Sequence, residues 1–555
     1  MLTTPAACSY GSVANTESTV QSSRRGLPTW RSLLVKVVVG SCLLAIVAIF
    51  SSYHPAMVID SNDVLARLLL YEGLNVTMYL RRTSLHYHGA GRAQLYVFPR
   101  LDTTTGMLTL DATMTLARPD GFETYTMVSN RAYYSKTANG TARCIDPSHI
   151  PPIHELPVRL AEATRLASVF DGKHKQPIEC IGGEWLGLEF GGEPYVVCPS
   201  LTSQLVRVIG HDIELHIEPL SDAKLPAIET LQGSDETSLN CPELPRPLSP
   251  TSKRVLVEDV SISSSFDFFS FNEPTCTCKG ERKPCLFVHG FGELSQRNIS
   301  STFPFYWGDV HLHAPCCTDI QFTHFDTVNR GWINPSLQED FCHAALRVSE
   351  PGSNDTTIGN LILVAHSMGN LLIAGAVANR RCHLSSNVTW IHLGGPMKGT
   401  MVANFFQNEC TTKDNWNILK DQMYFMGTCP LTEGTLSLLH ESTADEVLFA
   451  QYQAAQAVHS TYVTKAACGN NPFGLDSVYT PLFGVLGTLD HVEGRNDGVV
   501  SFDSCSVGLN LSDFDTTYES RHYKASVNHI DLSFRNSDGW WGSDRKPLKW
   551  FACGL

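Results

Sequence analysis

The stretch LILVAHSMGNLLIAGAV, residues 361–377, constrains this chain more than any other. Leu361 to Val364 make a short, continuous apolar run, the pattern of a strand buried on both faces. Beyond Ser367, the residues Leu371, Leu372, Ala374 and Val377 keep an Ala-rich apolar segment that suits a buried helix. A strand that becomes a helix within a few residues leaves no room for bulk at the corner, and the positions two before and two after the serine are Ala365 and Gly369. Such a corner is a nucleophile elbow, which exposes a serine hydroxyl at the top of a sheet. Small-x-Ser-x-Gly also occurs in ordinary turns, so the reading stands only with the other parts of a reaction centre.

A serine hydroxyl needs a base to take its proton and donors waiting for the oxyanion it forms. Upstream, CLFVHGFGE (285–293) ends a strand in His289-Gly290-Phe291-Gly292, where glycines let backbone N–H groups approach a substrate. The N–H groups of Phe291 and Met368 are therefore the expected oxyanion hole. An acid and a histidine should follow in the order Ser, Asp/Glu, His. GRNDGVVSFDSC offers Asp497 at the head of a turn after an apolar stretch, and YKASVNHIDLSF offers His529 just past a strand-like segment. Asp490, Asp503, His491 and His522 are the competing candidates; His522 reads as lying inside its strand, whereas His529 sits at the end, where catalytic loops belong.

Taken together, VAHSMGN, FVHGFG, LGGPMKGT, NDGVV and NHIDL resemble, in this order, the elbow, oxyanion loop, following segment, acid loop and histidine loop of bacterial lipases. The likeness covers about residues 280–535 and implies an α/β-hydrolase fold, with Ser367 as nucleophile, His529 as general base and then acid, and Asp497 as its orienter. Some such lipases hold calcium with an aspartate two residues after the histidine, here Asp531. Asp476 is the one acidic partner to suggest, and a capping role for Asp531 is preferred, so no metal or other cofactor is expected.

The rest of the chain has a different texture. At 555 residues it exceeds one usual core. From 54 to 240, segments such as AQLYVFPRL and DIELHIEPL alternate β-branched and aromatic residues between turns, the mark of an antiparallel β-rich module, with one helix expected over 155–170. A Pro-rich linker is expected over 241–279 and the catalytic unit over 280–555. In that unit Cys285–Val288, Val310–His313, Leu361–Val364 and Val388–Leu393 are candidate strands, mostly parallel, with helices around 337–348 and 371–380. The long interval before Asp497 implies a cap insertion at about 400–475, whose Phe405, Phe406, Trp416, Tyr424, Phe425 and Met426 are candidates to line an acyl pocket.

A net charge of −14, without a long basic run, argues against a nucleic-acid partner. Residues 1–32 are expected to form a disordered cytoplasmic tail, and the apolar stretch over 33–53, flanked by Arg24, Arg25, Arg31 and Lys36, to be an uncleaved signal anchor. That orientation makes a type II membrane protein of the secretory pathway, with everything beyond residue 55 lumenal or extracellular. Sixteen of eighteen cysteines lie past the anchor, an even number suited to disulfides; zinc at Cys276-x-Cys278 and Cys316-Cys317 is the rival reading. Sequons at Asn75, Asn139, Asn298, Asn354, Asn387 and Asn510 permit glycosylation. Cleavage of a lipid or other acyl ester is the leading expectation. Inositol deacylation of glycolipid anchors, acyl transfer, thioester or peptide hydrolysis on the same site, and a non-catalytic lipid or protein binder are the alternatives.

Overall fold

In the computed structural model, residues 72–220 apart from short loops, 239–245, 276–411 apart from 351–353, and 430–555 apart from 476, 478–479 and 490–493 are described. The expected tail and anchor over 1–53 lie outside the described residues, as do Asp476, Asp490, His491, Asn139 and the cap aromatics Trp416, Tyr424, Phe425 and Met426. Among the described residues no helix is long and apolar enough to cross a membrane.

The N-terminal half builds an eleven-stranded sheet in which every pair of neighbours is antiparallel. Its centre is Leu74–Leu80 against Ile213–Pro219, so the first and last strands of the unit close on each other. Alternation sets the core: Leu74, Val76, Met78, Leu95, Val97, Ile213, Leu215 and Ile217 turn to one face and are buried. Trp540 and Trp541, from the far end of the chain, are buried in that same core. The helix expected over 155–170 is not continuous. Thr164–Leu166 is an edge strand paired with Trp185–Gly187, and Val169–Asp171 pairs with Gln176–Ile178. Leu166 and Val169 bury against Trp185, Val196 and Ile209, in a small cluster of the β unit. At the head of the expected linker, Cys241 is bonded to Cys144 and Leu244 is buried among the sheet residues, so these positions belong to the β unit.

The second unit is an eight-stranded sheet. Its strands are β1 (Lys283–Val288), β2 (Arg297–Ser300), β3 (Cys317–His324), β4 (Leu361–His366), β5 (Val388–Leu393), β6 (Val463–Gly469), β7 (Phe514–Asp515) and β8 (His522–Ala525). They lie in the order β2-β3-β1-β4-β5-β6-β8-β7, parallel throughout except for the edge strand β2. Both faces are covered, which explains why β4 reads as a continuous apolar run. Leu361, Leu363 and Ala365 pack with helices α2 (Pro335–Val348) and α3 (Met368–Ala378) and with the helix Glu446–Tyr462, while Ile362 and Val364 pack with Trp307 of α1 (Pro304–Trp307) and with Leu548, Trp550 and Phe551 of the C-terminal helix. This layered sheet is the α/β-hydrolase arrangement that the motifs imply.

Two expectations are corrected here. Val310–His313 is not a strand: Val310–Leu312 is a 3-10 turn, and the strand beside β1 begins at Cys317. Only Val310 of that turn is buried, whereas β3 is fixed to β1 by the Cys285–Cys317 bond and by parallel pairing. Within the range 400–475 assigned to a cap, Val463–Gly469 is instead a largely buried central strand paired with β5 and β8.

Among the described residues seven disulfides have both partners placed: Cys144–Cys241, Cys180–Cys198, Cys276–Cys553, Cys278–Cys316, Cys285–Cys317, Cys342–Cys382 and Cys468–Cys505; Cys410 is also bonded. All four sulfurs of the rival zinc reading, Cys276, Cys278, Cys316 and Cys317, are used in these bonds.

The two units meet at a buried ionic cluster. Lys546 Nζ lies 2.6 Å from Glu193 Oε1 and also pairs with Asp212, whose other oxygen is 2.9 Å from Lys549 Nζ. Arg82 faces Asp538 at 3.8 Å across the same junction. Burial alone would discharge these groups, but the two ammonium groups outweigh it and hold the Asp212 carboxyl well below its usual range.

Candidate active site

Ser367 occupies the corner between β4 and α3 with φ 55° and ψ −131°, a conformation that L-residues avoid. The surroundings enforce it. A Cβ on Gly369 would fall 2.7 Å from the Val288 carbonyl oxygen, so the helix can start this close to β1 only without a side chain there. Asn370 then ties the corner down: its amide nitrogen donates to the carbonyls of Ala365 and Ser367 at 3.0 and 3.2 Å, and its oxygen accepts from Trp390 Nε1 at 3.1 Å.

The three candidate side chains converge at the carboxyl end of the parallel strands. Ser367 Oγ lies 2.9 Å from His529 Nε2, and His529 Nδ1 lies 2.8 Å from Asp497 Oδ2. Asp497 is only 1% exposed, while Ser367 and His529 keep 7% and 6%, so the acid is the most deeply shut away of the three. Its second oxygen accepts the N–H groups of Val499 and Val500 at 3.0 and 2.7 Å, a turn that explains why the acid heads NDGVV. The backbones lock as well, His529 N–H donating to the Asp497 carbonyl at 2.9 Å. A bonded carboxylate that accepts from Nδ1–H leaves Nε2 free to accept a proton from the serine.

The loop expected to carry the oxyanion donors passes close to the serine. A Cβ on Gly290 would lie 2.5 Å from Ser367 Cβ and 3.0 Å from its Oγ. Phe291 follows in the same loop, and Met368 is the first residue of α3, whose N–H has no partner within the helix. Each expected donor is thus the chain neighbour of a residue at the hydroxyl, Phe291 of Gly290 and Met368 of Ser367 itself. Of the competing candidates, Asp503 is exposed in the first turn of Phe502–Ser506, and His522 is buried with Nδ1 accepting from Ala466 N–H at 3.0 Å.

Several site residues carry no sequence signature. Tyr306, from Pro304–Trp307, accepts from Gly290 N–H at 2.7 Å and lies 2.6 Å from His366 Nδ1. His366 Nε2 meets the His529 carbonyl at 2.8 Å. The Gly290 carbonyl accepts from Thr327 Oγ1 at 3.0 Å and from His289 Nδ1 at 2.8 Å. Burial strips water from His289 and lowers its pKa to about 4, and burial likewise lowers that of His366 well below the usual value, so both act as neutral hydrogen-bonding rings. Gly469, at the end of β6, would place a Cβ 2.6 Å from that of Asp497; a glycine closing a strand near the acid loop is the one signal that could have pointed to it.

Asp531 is held by hydrogen bonds from described residues. Its Oδ2 accepts the N–H groups of Leu475 and Asn528 at 2.7 and 3.0 Å, and its Oδ1 accepts Asn536 Nδ2 at 2.7 Å. Burial raises its pKa to about 7 despite these bonds. Among the described residues the one group with metal-ligand spacing is His392, Cys468 and Cys505, and its two sulfurs are bonded to each other. Apolar residues flank the centre: Ile530 packs with Val402, Phe406, Phe483 and Leu486, and Gly434 abuts the Phe291 ring.

No protein-family model matches the sequence, and no curated protein matches it either. Solved structures similar to the chain include the Staphylococcus hyicus lipase, at 12% identity over 50% of this chain and 94% of that one with a TM-score of 0.27. The metagenomic carboxyl esterase MGS0156 is similar at 12% over 52% and 80%, TM-score 0.26. Phospholipase PlaB from Legionella pneumophila is similar at 13% over 40% of this chain, TM-score 0.25, and the chain spans 45% of its length.

Proposed function

We propose that the chain is a serine hydrolase that cleaves carboxylic esters through an acyl-enzyme on Ser367. The observation that carries the reading is the unbroken line from Ser367 Oγ through His529 to Asp497, with the serine at a positive-φ corner. In this reading Ser367 attacks the ester carbonyl as His529 Nε2 takes its proton. Asp497 keeps the proton of the ring on Nδ1 and stabilises the imidazolium. The Phe291 and Met368 N–H groups receive the oxyanion. His529 then protonates the departing alkoxide, and water, deprotonated by the same ring, releases the acid and restores Ser367.

A lipid ester is the substrate class proposed, supported by the apolar wall of Val402, Phe406, Phe483 and Ile530 beside the histidine. The apolar segment over 33–53 would tether the unit to a membrane, and seven disulfides favour a lumenal or extracellular setting. The testing experiment is labelling with a fluorophosphonate probe, followed by hydrolysis of p-nitrophenyl esters of increasing chain length. An adduct on Ser367 and a preference for longer chains are expected. Folded protein that takes no probe on Ser367 is a binder, and the reading fails.

A further inference from the structure

A second line of hydrogen bonds runs behind the first. Gly290 N–H donates to Tyr306 Oη at 2.7 Å, Tyr306 Oη meets His366 Nδ1 at 2.6 Å, and His366 Nε2 meets the His529 carbonyl at 2.8 Å. One placement of protons satisfies it. The carbonyl can only accept, so His366 carries its proton on Nε2; Nδ1 of the neutral ring must accept, and the Tyr306 hydroxyl donates to it. The phenol oxygen keeps a lone pair for Gly290 N–H.

This line begins on the oxyanion loop and ends on the backbone of His529, passing through the residue immediately before Ser367. The next peptide unit of the loop is held separately. Thr327 and His289 hold the Gly290 carbonyl, and because a peptide is planar, holding that oxygen sets the direction of the Phe291 N–H. The phenol ring is packed independently of its hydroxyl, against Phe303, Trp307 and His289.

We propose that Tyr306 is a positioning residue for the reaction at Ser367, its hydroxyl keeping the oxyanion loop and the His529 loop in register through His366. The proposal rests on the ester-hydrolase reading of Ser367. Register matters because a donor acts on the oxyanion only from hydrogen-bond distance, and a misplacement of about 1 Å can lower a rate roughly 100-fold.

Tyr306→Phe keeps the ring and removes the bridge. In the full chain, kcat for a p-nitrophenyl ester is expected to fall about 10- to 100-fold, with KM changed less than about twofold. Affinity for a boronic acid, whose tetrahedral adduct on serine mimics the oxyanion, should fall by the same factor as kcat. His366→Leu breaks the line one bond further on, and the double variant should be no slower than the slower single variant, since both cut one line. Wild-type kcat and boronate affinity in Tyr306→Phe would overturn the proposal, as would a fall in kcat matched only by loss of folded protein. Inactive wild type would sink the hydrolase reading and this proposal together; active wild type with an unaffected Tyr306→Phe would sink this one alone.

Discussion

His529 Nε2 stands 2.9 Å from Ser367 Oγ although 162 positions separate the two in the chain, because β4 ends in one and the loop after β8 carries the other to the same edge of the sheet. If this contact is the reacting pair, Ser367→Ala should abolish probe labelling and lower ester turnover by at least about a thousandfold. Alanine fits the same corner, so the unfolding temperature should stay within about 2 °C. Residual turnover above a tenth of wild type would remove Ser367 from the reaction.

Asp497→Asn tests the orienting role. The amide can present its N–H₂ to the imidazole instead of an acceptor, which favours the tautomer with the proton on Nε2, where it cannot take a proton from serine. A loss of roughly 10³- to 10⁴-fold in kcat is expected at pH 7. Rate assays on folded variant protein would check it, and a loss under tenfold would mean another group supports the ring.

The closeness of the oxyanion loop gives a third expectation. Gly290→Ala would drive a methyl to 2.5 Å from Ser367 Cβ and 3.0 Å from Tyr306 Oη, so the loop must shift and carry Phe291 with it. A fall in kcat/KM of about 100-fold is expected. Gly280→Ala, with nothing within 4 Å of its Cβ, should match wild type. Equal activity of the two variants would show that the loop has slack.

What the sequence revealed of this site follows from locality. Ser367, Gly369, Gly290 and the turn at Asp497 are each demanded by backbone geometry within a few residues, so they leave a pattern. Tyr306 leaves none, since its partners Gly290, His366 and Ser533 come from three separate segments and a tyrosine in PFYW looks like any aromatic. β6 hid for a different reason: Val463-Thr-Lys-Ala-Ala-Cys-Gly lacks the long β-branched or aromatic run by which a strand is read. Sheet pairing with Trp185–Gly187, about twenty positions further on, also decided Thr164–Leu166 against local helix propensity.

Acid should destabilise the fold. Burial lowers the pKa of His289 to about 4 and of His459 to about 3, and holds His366 and His392 well below their usual 6.5. Between pH 6.5 and about 4 the unfolded chain therefore binds protons that the native rings refuse, so stability rises with pH and is lost as pH falls below 6.5. Asp531, raised to about 7, acts oppositely: the native carboxyl holds a proton that the unfolded one releases above pH 3.8. Glu193, Asp538 and Asp544 are raised by burial as well, but His211, His324, His440 and His522 are lowered like the first four, so among the described residues eight rings outweigh four carboxyls, and each net proton is worth about 1.4 kcal/mol per pH unit. Urea midpoints at pH 7, 6 and 5 should fall in that order; a flat or rising series would refute the neutral-ring assignment.

The junction of the two sheets gives the last expectation. Lys546 is fully buried between Glu193 and Asp212, and Lys549 remains to balance Asp212 if it is removed, but Glu193 would then have no cation in contact. Lys546→Met, similar in volume, should therefore destabilise the protein by about 3–5 kcal/mol, the usual effect of stranding one buried charge. Replacing both partners, in Lys546→Met with Glu193→Gln, should recover part of that loss, because the stranded carboxylate is gone. Denaturant unfolding of the three proteins measures the difference. If Lys546→Met unfolds within about 1 kcal/mol of wild type, water reaches Glu193 and the cluster does not bind the antiparallel sheet to the catalytic unit.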